Sequence, residues 1–525
     1  MPTQIVRVFL ATPGSMGKER DLFSKAVEDA NHIAAKLGVS FLPRKWEYVS
    51  PDLHPSGEAQ ERIEEELAIE ECDVLVAALW RDPGSLGPDD QFRTEREVRK
   101  AIKQRKLRGT KPAIFAYFCT KEYSPSSAEE AKRHSQVLDF KQSIQSEGLL
   151  TKNYREVEDF RYKLFSHLID FLVTSLGSGE AFSCSVNADV QVIRNEGYTE
   201  LIGDITIDVS IGARRGVRES VSLTLLTNAS ITNRILDNGL LDVELISESE
   251  LSACTYARHI TATSIEFDPI LVESEKTHRL VIRGLRFNAM FLGVSAALPR
   301  NFAQGQLTII NTDTKQAVSK SLILAYIERG LGVEAPKYVT EWSDSGCTFV
   351  AFTQTFVELF AGAFKNRMEE RGDYGTTLAL YFSSVPNGAR VFITSRDIPI
   401  KPTSTSQDLM ASALAREVSP NGDHPKASTL IEAPRWLDGT PMTEVGLNEC
   451  AAWEIVAADN REELRRLVFG VVIATPTGVR SAPSISSLLA PFYSTATAMT
   501  VSESLPIPRF VSWGPVPKPQ LVPTA

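Results

Sequence analysis

One stretch of the chain, residues 73–80 (Asp-Val-Leu-Val-Ala-Ala-Leu-Trp), is apolar without the polar alternation of a half-exposed strand. An unbroken apolar run of this length predicts a strand buried on both faces, as in a parallel sheet covered by helices. A loop rich in Pro and Gly follows at residues 82–88, and a helical pattern begins at residue 92. The loop and the helix start are therefore predicted at the carboxyl edge of a parallel sheet, where open α/β sheets bind ligands.

Residues 1–176 alternate between strand and helix patterns throughout. Strands are predicted at residues 5–11, 40–46, 73–80, 113–118 and 149–154. Helices are predicted at residues 18–37, 58–71, 92–107, 128–146 and 157–173, where apolar residues recur every three or four positions. Strands separated by helices predict one α/β domain of the flavodoxin-like class, with a five-stranded parallel sheet and right-handed crossovers.

The pattern changes to period two after a small polar linker at residues 177–182. Alternating strands bounded by turn residues predict two all-β sandwich domains, at residues 183–334 and 335–515, before an extended tail at residues 516–525. In the second of these domains, Phe352, Phe356, Phe360 and Phe364 recur every four residues. Either an amphipathic helix or buried strand positions would explain this spacing, and we favour buried positions in a core.

The composition of the 525-residue chain is that of an ordinary globular protein, with 43% hydrophobic and 23% charged residues. A net charge of −10 argues against a nucleic-acid partner, which needs a basic surface. The sequence shows no apolar segment of the roughly 20 residues that span a bilayer, and no signal-peptide pattern. Its six cysteines lack metal-ligand spacing. We therefore expect a cytoplasmic protein with no membrane partner and no metal.

Candidate ligand-binding residues follow the first and second predicted strands. Thr12, Gly14 and Ser15 lie between a strand and a helix, where main-chain amides can bind a phosphate. The alternative is a plain helix start with Ser15 as its N-cap. Trp46 and Glu47 end the second strand, where the ring could stack on a base and the carboxylate could hold a ribose hydroxyl. The alternative is a tryptophan that packs on apolar neighbours at the rim.

The helix predicted from residue 92 carries the main candidate for chemistry. A turn of about 100° per residue directs Thr94 toward the sheet and places Glu97 on the rim of the same face. A half-buried carboxylate loses solvation and can act as a nucleophile or general base. The alternative is a charged helix surface, because Arg93, Glu95 and Arg99 surround Glu97 in the sequence.

Four short motifs occur in order along the first domain. They are Pro13-Gly14 followed by Glu19-Arg20-Asp21, then Trp46-Glu47, then Cys72-Asp73 with Leu79-Trp80, and finally Thr94-x-x-Glu97. On these motifs, residues 5–175 resemble uncharacterised TIR-like domains at the N-termini of bacterial signalling and defence proteins. The last motif also resembles the helix start of nucleoside 2-deoxyribosyltransferases. Residues 183–515 resemble tandem bacterial β-sandwich modules, and only loosely.

The resemblance implies a site that cleaves the N-glycosidic bond of NAD or a related nucleotide, which would be the substrate, with no cofactor. Glu97 would attack or stabilise an oxocarbenium-like C1′, and Thr94 would orient Glu97. Phosphate binding is implied for Thr12 and Ser15. Trp80, or Trp46 as an alternative, would stack on the base.

One position departs from these families, because the Gly that precedes the Thr in their motif is Arg93 here. A bulky cation at that position would either block the pocket or pair with a phosphate. Enzymatic activity is therefore an open question at the level of sequence.

Two functions are consistent with the sequence. In the first, the N-terminal domain is an effector that cleaves a nucleotide, and the β domains sense a trigger or drive assembly as a homo-oligomer or with a protein partner. In the second, the chain is a non-enzymatic signalling or assembly module whose β-sandwiches bind a ligand or a protein. Arg93 and the opposite charges of residues 58–71 and 93–111 favour the second, because opposite faces could stack head to tail. A surface adhesin is a third, weaker alternative.

Overall fold

The first unit is built on a five-stranded parallel sheet. A computed structural model of the chain describes residues 4–45, 71–87, 91–176, 182–212, 217–248, 254–293, 301–383, 385–398, 415–418, 442–445, 450–457, 464–479, 484–490, 492–493 and 505–511. The strands are β1 (Gln4–Ala11), β2 (Val39–Arg44), β3 (Val74–Leu79), β4 (Ala113–Cys119) and β5 (Thr151–Tyr154). Their order is β2-β1-β3-β4-β5 and every pairing is parallel. The predicted parallel sheet is confirmed, in the strand order of doubly wound sheets.

Helices cover both faces of this sheet, which explains why β3 is apolar throughout. They are α1 (Gly17–Lys36), α2 (Arg93–Arg108), α3 (Ala128–Ser146) and α4 (Val157–Leu176). On one face, α1 and α4 pack on Val74 and Val76, and on the other face α2 and α3 pack on Leu75 and Ala77. Successive residues of a strand point to opposite faces, so all positions of β3 are buried. The helix predicted at residues 58–71 lies outside the described residues.

The second unit is rich in antiparallel strands. Its ten-stranded sheet contains β6 (Phe182–Ala188), β7 (Gln191–Arg194), β9 (Ile205–Ile211), β10 (Arg218–Thr227), β11 (Leu241–Ser247), β12 (Cys254–Thr261), β13 (Ser264–Glu273), β14 (Thr277–Arg283), β16 (Phe302–Asn311) and β17 (Gln316–Glu328). A small sheet pairs β8 (Glu200–Leu201) with β15 (Arg286–Phe287). Alternate side chains from all ten strands of the larger sheet point into one apolar core, as period-two patterning requires.

The third unit has two larger antiparallel sheets that face each other. One contains β18 (Leu331–Asp344), β19 (Cys347–Glu358), β21 (Arg390–Thr394), β23 (Met442–Val445) and β25 (Arg466–Pro476). The other contains β20 (Thr377–Ser383), β22 (Ala415–Val418), β24 (Cys450–Ile455) and β26 (Ser484–Ala490). A short helix, α5 (Arg367–Glu370), precedes β20, and β27 (Phe492–Tyr493) pairs with β28 (Phe510–Val511).

The phenylalanine series of the third unit lies in a core, as we favoured. Phe352 and Phe356 are in β19, where a spacing of four keeps side chains on one face of a strand. Phe356 and Phe364 are fully buried between the two sheets, and Phe360 packs against the same cluster. Strand β17 of the ten-stranded sheet ends at Glu328, and β18 of the third unit begins at Leu331, near the predicted boundary at residues 334 and 335. The domain boundaries stay predictions.

The first unit packs on the second through α1 and α4. Leu226, Ile310 and Ala317 of the second unit belong to the same apolar cluster as the inner faces of these helices. The Lys36 ammonium donates to Ser222 Oγ at 2.9 Å and forms an ion pair with Glu266 at 2.5 Å. The covering helices of the parallel sheet are therefore fixed against the β-rich part of the chain.

The second and third units meet around a buried guanidinium. The Arg194 side chain, 1% exposed, donates from Nε to Glu200 Oε1 at 2.9 Å and from Nη2 to Glu370 Oε1 at 2.7 Å. Its Nη1 donates to Ala363 O and to Thr376 Oγ1, both at 2.8 Å. Glu200 comes from the second unit and the other three partners from the third, so the cation joins the two units.

We expect Arg194→Ala to destabilise the β units by about 3–5 kcal/mol, because it leaves two carboxylates buried without their cation. The measurement is the free energy of unfolding in urea, followed by the fluorescence of Trp453, which is buried in the third unit. The matched control is Arg390→Ala, which breaks an ion pair with Glu444 whose arginine side chain is 51% exposed. For the control we expect the free energy of unfolding to fall by only about 0–1 kcal/mol. Equal losses in the two variants would contradict this account.

Candidate functional site

Three segments meet at the carboxyl edge of the parallel sheet: the loop after β1, the loop after β3 and the start of α2. The Thr12 hydroxyl donates to Ala78 O at 3.0 Å, which ties the first loop to β3. A Cβ built on Gly84, whose φ is +99°, would lie 3.4 Å from Thr94 Oγ1 and 3.8 Å from Pro13 Cβ. The glycine backbone therefore lies against both the first loop and the helix start, at a φ that favours glycine.

Thr94 and Glu97 lie on the face of α2 that helical periodicity predicts. Thr94 is 3% exposed, and Val98 and Ala101 on the same face are also buried, whereas Glu97 is half-buried at the rim. The neighbouring Glu95 is also half-buried and accepts a hydrogen bond from Arg99 Nε at 2.8 Å. The structure thus brings Thr94 beneath the β3 loop, with Glu97 close to it along the helix.

Asp82 is a residue of this edge that the sequence analysis missed. Its Oδ1 accepts a hydrogen bond from Gly84 N at 2.8 Å and a charged one from Arg133 of α3. Burial raises the pKa of Asp82, but these hydrogen bonds and the Arg133 charge outweigh it and hold the pKa below its usual range. Arg133 Nη2 also donates to Gly84 O at 2.8 Å, which fixes the loop.

The Asp-Pro-Gly sequence after β3 contained a signal for part of this arrangement. An Asp side chain commonly accepts from the amide two residues later, and Gly84 N is that amide. Nothing local in the sequence indicates Arg133, which lies 51 residues away in the chain.

The first loop does not begin its helix with the predicted N-cap. Helix α1 begins at Gly17 with Met16 as N-cap and no side-chain cap hydrogen bond, so the alternative of Ser15 as N-cap is wrong. The Ser15 hydroxyl instead lies near the Asp82 carboxylate, where it contributes to lowering the pKa of Asp82. Gly14 is exposed, and its carbonyl accepts from Arg20 Nη2 at 2.7 Å. Phosphate binding by this loop stays a prediction.

The predicted stacking residue Trp80 already has ring partners. Its ring packs edge-on against Tyr123, with centroids 5.9 Å apart, and the Arg81 guanidinium lies 4.8 Å from the Trp80 centroid. Within the described part of the chain, Trp80 Nε1 and Arg93 Nε are buried atoms without a hydrogen-bond partner. Trp46 and Glu47 lie outside the described residues.

A second polar cluster at the same edge was also missed. Glu19, in the first turn of α1, is buried and accepts a hydrogen bond from the Tyr154 hydroxyl at 3.0 Å. Burial, and to a lesser extent the charge of Glu19, raises the pKa of Tyr154. Burial likewise raises the pKa of Cys119, so the thiol stays protonated and is a poor nucleophile. This cluster positions α1 against β5 and supplies no activated nucleophile.

The described residues contain no group of three or more His, Cys, Asp or Glu side chains placed to hold a metal ion. Among the described helices, none combines the length and the apolar character needed to cross a membrane.

Comparisons with known proteins assign no family to the chain. No protein-family model and no curated protein matches it. Solved structures that match include red sea bream transglutaminase, at 13% identity over 64% of this chain and 36% of that one, with a TM-score of 0.17. A BSP domain of a biofilm-associated protein matches at 8% identity over 57% of this chain and 50% of that one, with a TM-score of 0.17.

A β-glucosidase from Listeria innocua, solved with isofagomine, matches at 8% identity over 62% of this chain and 48% of that one, with a TM-score of 0.14. The chain therefore spans half or less of the length of each of these three structures. TM-scores this low carry no argument about fold or function.

We expect Asp82→Asn to lower the free energy of unfolding at neutral pH by about 1 kcal/mol, since solvent screens a carboxylate that is partly exposed. The pKa of Asp82 is lowered in the folded state, so its stabilisation is complete above about pH 4 and is lost as the pH falls through the folded pKa. The native protein and the variant should therefore become equally stable at acid pH. Thermal unfolding of both proteins across an acid pH series measures this. Asp268→Asn, at an exposed ion pair with Arg258, is the control. A difference that persists at the acid end would refute the role of the charge.

Proposed function

We propose that the first unit is a TIR-like domain that cleaves the N-glycosidic bond of NAD or a related nucleotide. The observation that carries the proposal is the convergence of two strand-end loops on the start of α2, with Thr94 buried beneath Gly84 and Glu97 at the rim. Ligand sites of doubly wound sheets lie at this edge, in the crevice between neighbouring strands. The motif resemblance described above supplies the reaction class.

In this proposal Glu97 attacks or stabilises the C1′ of the ribose as its bond to the base breaks, and water then attacks C1′ to complete the hydrolysis and free Glu97. Partial burial of a carboxylate weakens its solvation, which favours attack on a carbon that develops positive charge. Thr94 orients Glu97 from the buried side of the helix. Asp82 suits the ribose hydroxyls, because an ionised carboxylate is an acceptor only.

The binding roles of the loop residues follow from their remaining hydrogen-bonding capacity. The Thr12 hydroxyl donates to Ala78 O, so it offers a ligand only its lone pairs. A phosphate would then be bound by main-chain amides of the first loop and by Arg93. Trp80, or Trp46, would contact the base.

We also propose that the two β-rich units are sandwiches that regulate the first unit in the cytoplasm, by sensing a trigger or by assembling copies of the chain. The contacts that support regulation are those of α1 and α4 with the second unit, such as the ion pair of Lys36 with Glu266. A change in the β units can reach the sheet through these helices.

The proposal predicts that the purified protein releases nicotinamide from NAD and that Glu97→Gln lowers the rate by about 10²- to 10⁴-fold. Glu95→Gln is the matched control, because it makes the same change two residues earlier on the same helix, at a carboxylate bonded to Arg99. Release of nicotinamide is measured by chromatography. Activity that Glu97→Gln leaves intact would reject the role of Glu97, and a lack of release by the native protein would reject the reaction.

A non-enzymatic assembly function is the second candidate, and a specific observation favours it. The Thr12 hydroxyl donates to Ala78 O, the Gly14 carbonyl accepts from Arg20, and the Trp80 ring contacts Arg81 and Tyr123. An edge whose loop and ring are held by contacts within the protein is suited to a structural role.

The assembly function predicts light scattering that reports oligomers at low salt and smaller species at high salt, because screening weakens contacts between oppositely charged faces. The protein should then show no turnover of NAD. Scattering that is independent of both salt and protein concentration would exclude assembly through charged faces.

A further inference from the structure

A cavity of about 440 Å³ lies beside the junction of the second and third units. Its apolar walls come from both sheets of the third unit, the segment before α5 and the C-terminal strand β28. They are formed by Leu331, Val333, Leu359, Leu488, Leu489 and Val511. A volume of this size falls within the range of about 300–1,000 Å³ that small-molecule sites occupy.

The cavity opens between two strands that are sheet edges among the described strands. β18 pairs with β19, and β26 pairs with β20, and each is the last strand of its sheet in the described part of the chain. At the mouth, Val333 and Leu359 are 46% and 43% exposed, whereas Leu489 at the inner wall is buried. Uncovered apolar side chains that line a concave surface mark a ligand site.

The two charged residues of the cavity have different environments. The buried Glu196 carboxylate accepts hydrogen bonds from Gly330 N at 2.9 Å and from Leu331 N at 3.2 Å, so main-chain donors stabilise its charge. Arg329 is exposed, and within the described part of the chain it has no hydrogen bond or ion pair. Of the two, the Arg329 guanidinium is therefore the group that is free to bind a ligand.

The shape of β18 argues against a peptide strand as the occupant. Its pairing with β19 is irregular between Glu334 and Lys337 and again between Lys337 and Thr340, and Pro336 interrupts the main-chain donors. Bulges, a proline and a lysine are the features that keep sheet edges from adding another strand. A small molecule needs no regular edge.

We propose that this cavity binds an aliphatic monocarboxylate, with the hydrocarbon chain between the leucines and the carboxylate at Arg329. Burial of the chain provides the affinity, and the guanidinium fixes the direction of insertion. The proposal does not depend on the activity of the first unit, because every residue that forms the cavity lies in the two β-rich units.

The test is isothermal titration of the full chain with decanoate and with shorter homologues. Affinity should rise about fourfold for each added methylene, and decylammonium should bind more weakly than decanoate. Affinity that is independent of chain length, equal affinity for the two head groups, or no binding of decanoate would overturn the proposal.

Variants locate the site. Arg329→Gln should weaken decanoate binding by about tenfold, the loss of one charged contact, while Arg329→Lys retains most of it. Leu359→Trp should block the mouth, and because Leu359 is 43% exposed the larger ring does not have to enter a core. Arg258→Gln, on a surface strand of the second unit, is the control. Binding that Arg329→Gln and Leu359→Trp leave unchanged would show that decanoate binds elsewhere.

Discussion

The buried guanidinium of Arg194 is the interaction on which the arrangement of the two β-rich units depends. A charge removed from water is costly unless all of its donors and its counter-charges are satisfied. Glu200 supplies one carboxylate from the second unit, and Glu370 supplies the other from the third. Burial raises the pKa of Glu370, but the charge and hydrogen bond of Arg194 and the charges of Lys365 and Arg286 together lower it more and keep the carboxylate ionised. Neither unit alone supplies both carboxylates that pair with Arg194. Ion pairing, as well as apolar packing, therefore sets the relative position of the two units.

The same junction organises the end of the described chain. The Phe510 ring lies 4.8 Å from the Arg194 guanidinium, and Val511 N donates to Glu196 O. The Glu196 side chain accepts from the first amides of β18, so one residue connects the C-terminal strand to the edge of the third unit. The walls of the cavity are thus held by the contacts that join the units, which makes it a preformed site.

The sequence predicts local elements well because their causes are local. The predicted helix at residues 128–146 matches α3 at both ends. At its N-terminus, the Ser127 side chain caps the helix by accepting a hydrogen bond from Glu130 N at 3.1 Å. The role of Ser15 could not be predicted, since its partner Asp82 meets it only after the sheet has formed. Arg194 was missed for a related reason: periodicity places charged residues at the surface, and only tertiary partners make a buried arginine stable.

The charges at the carboxyl edge determine how a phosphate can approach it. The Gly84 amide and the Arg133 guanidinium are donors of the kind that bind phosphate, but both donate to Asp82. A phosphate at the same place would meet a like charge where partial burial reduces screening. If the proposed nucleotide binds here, its phosphates need another donor. Arg93 starts α2 at this edge, and within the described residues its buried Nε has no hydrogen-bond partner. In the proposed site, Arg93 would therefore bind the phosphates that Asp82 repels.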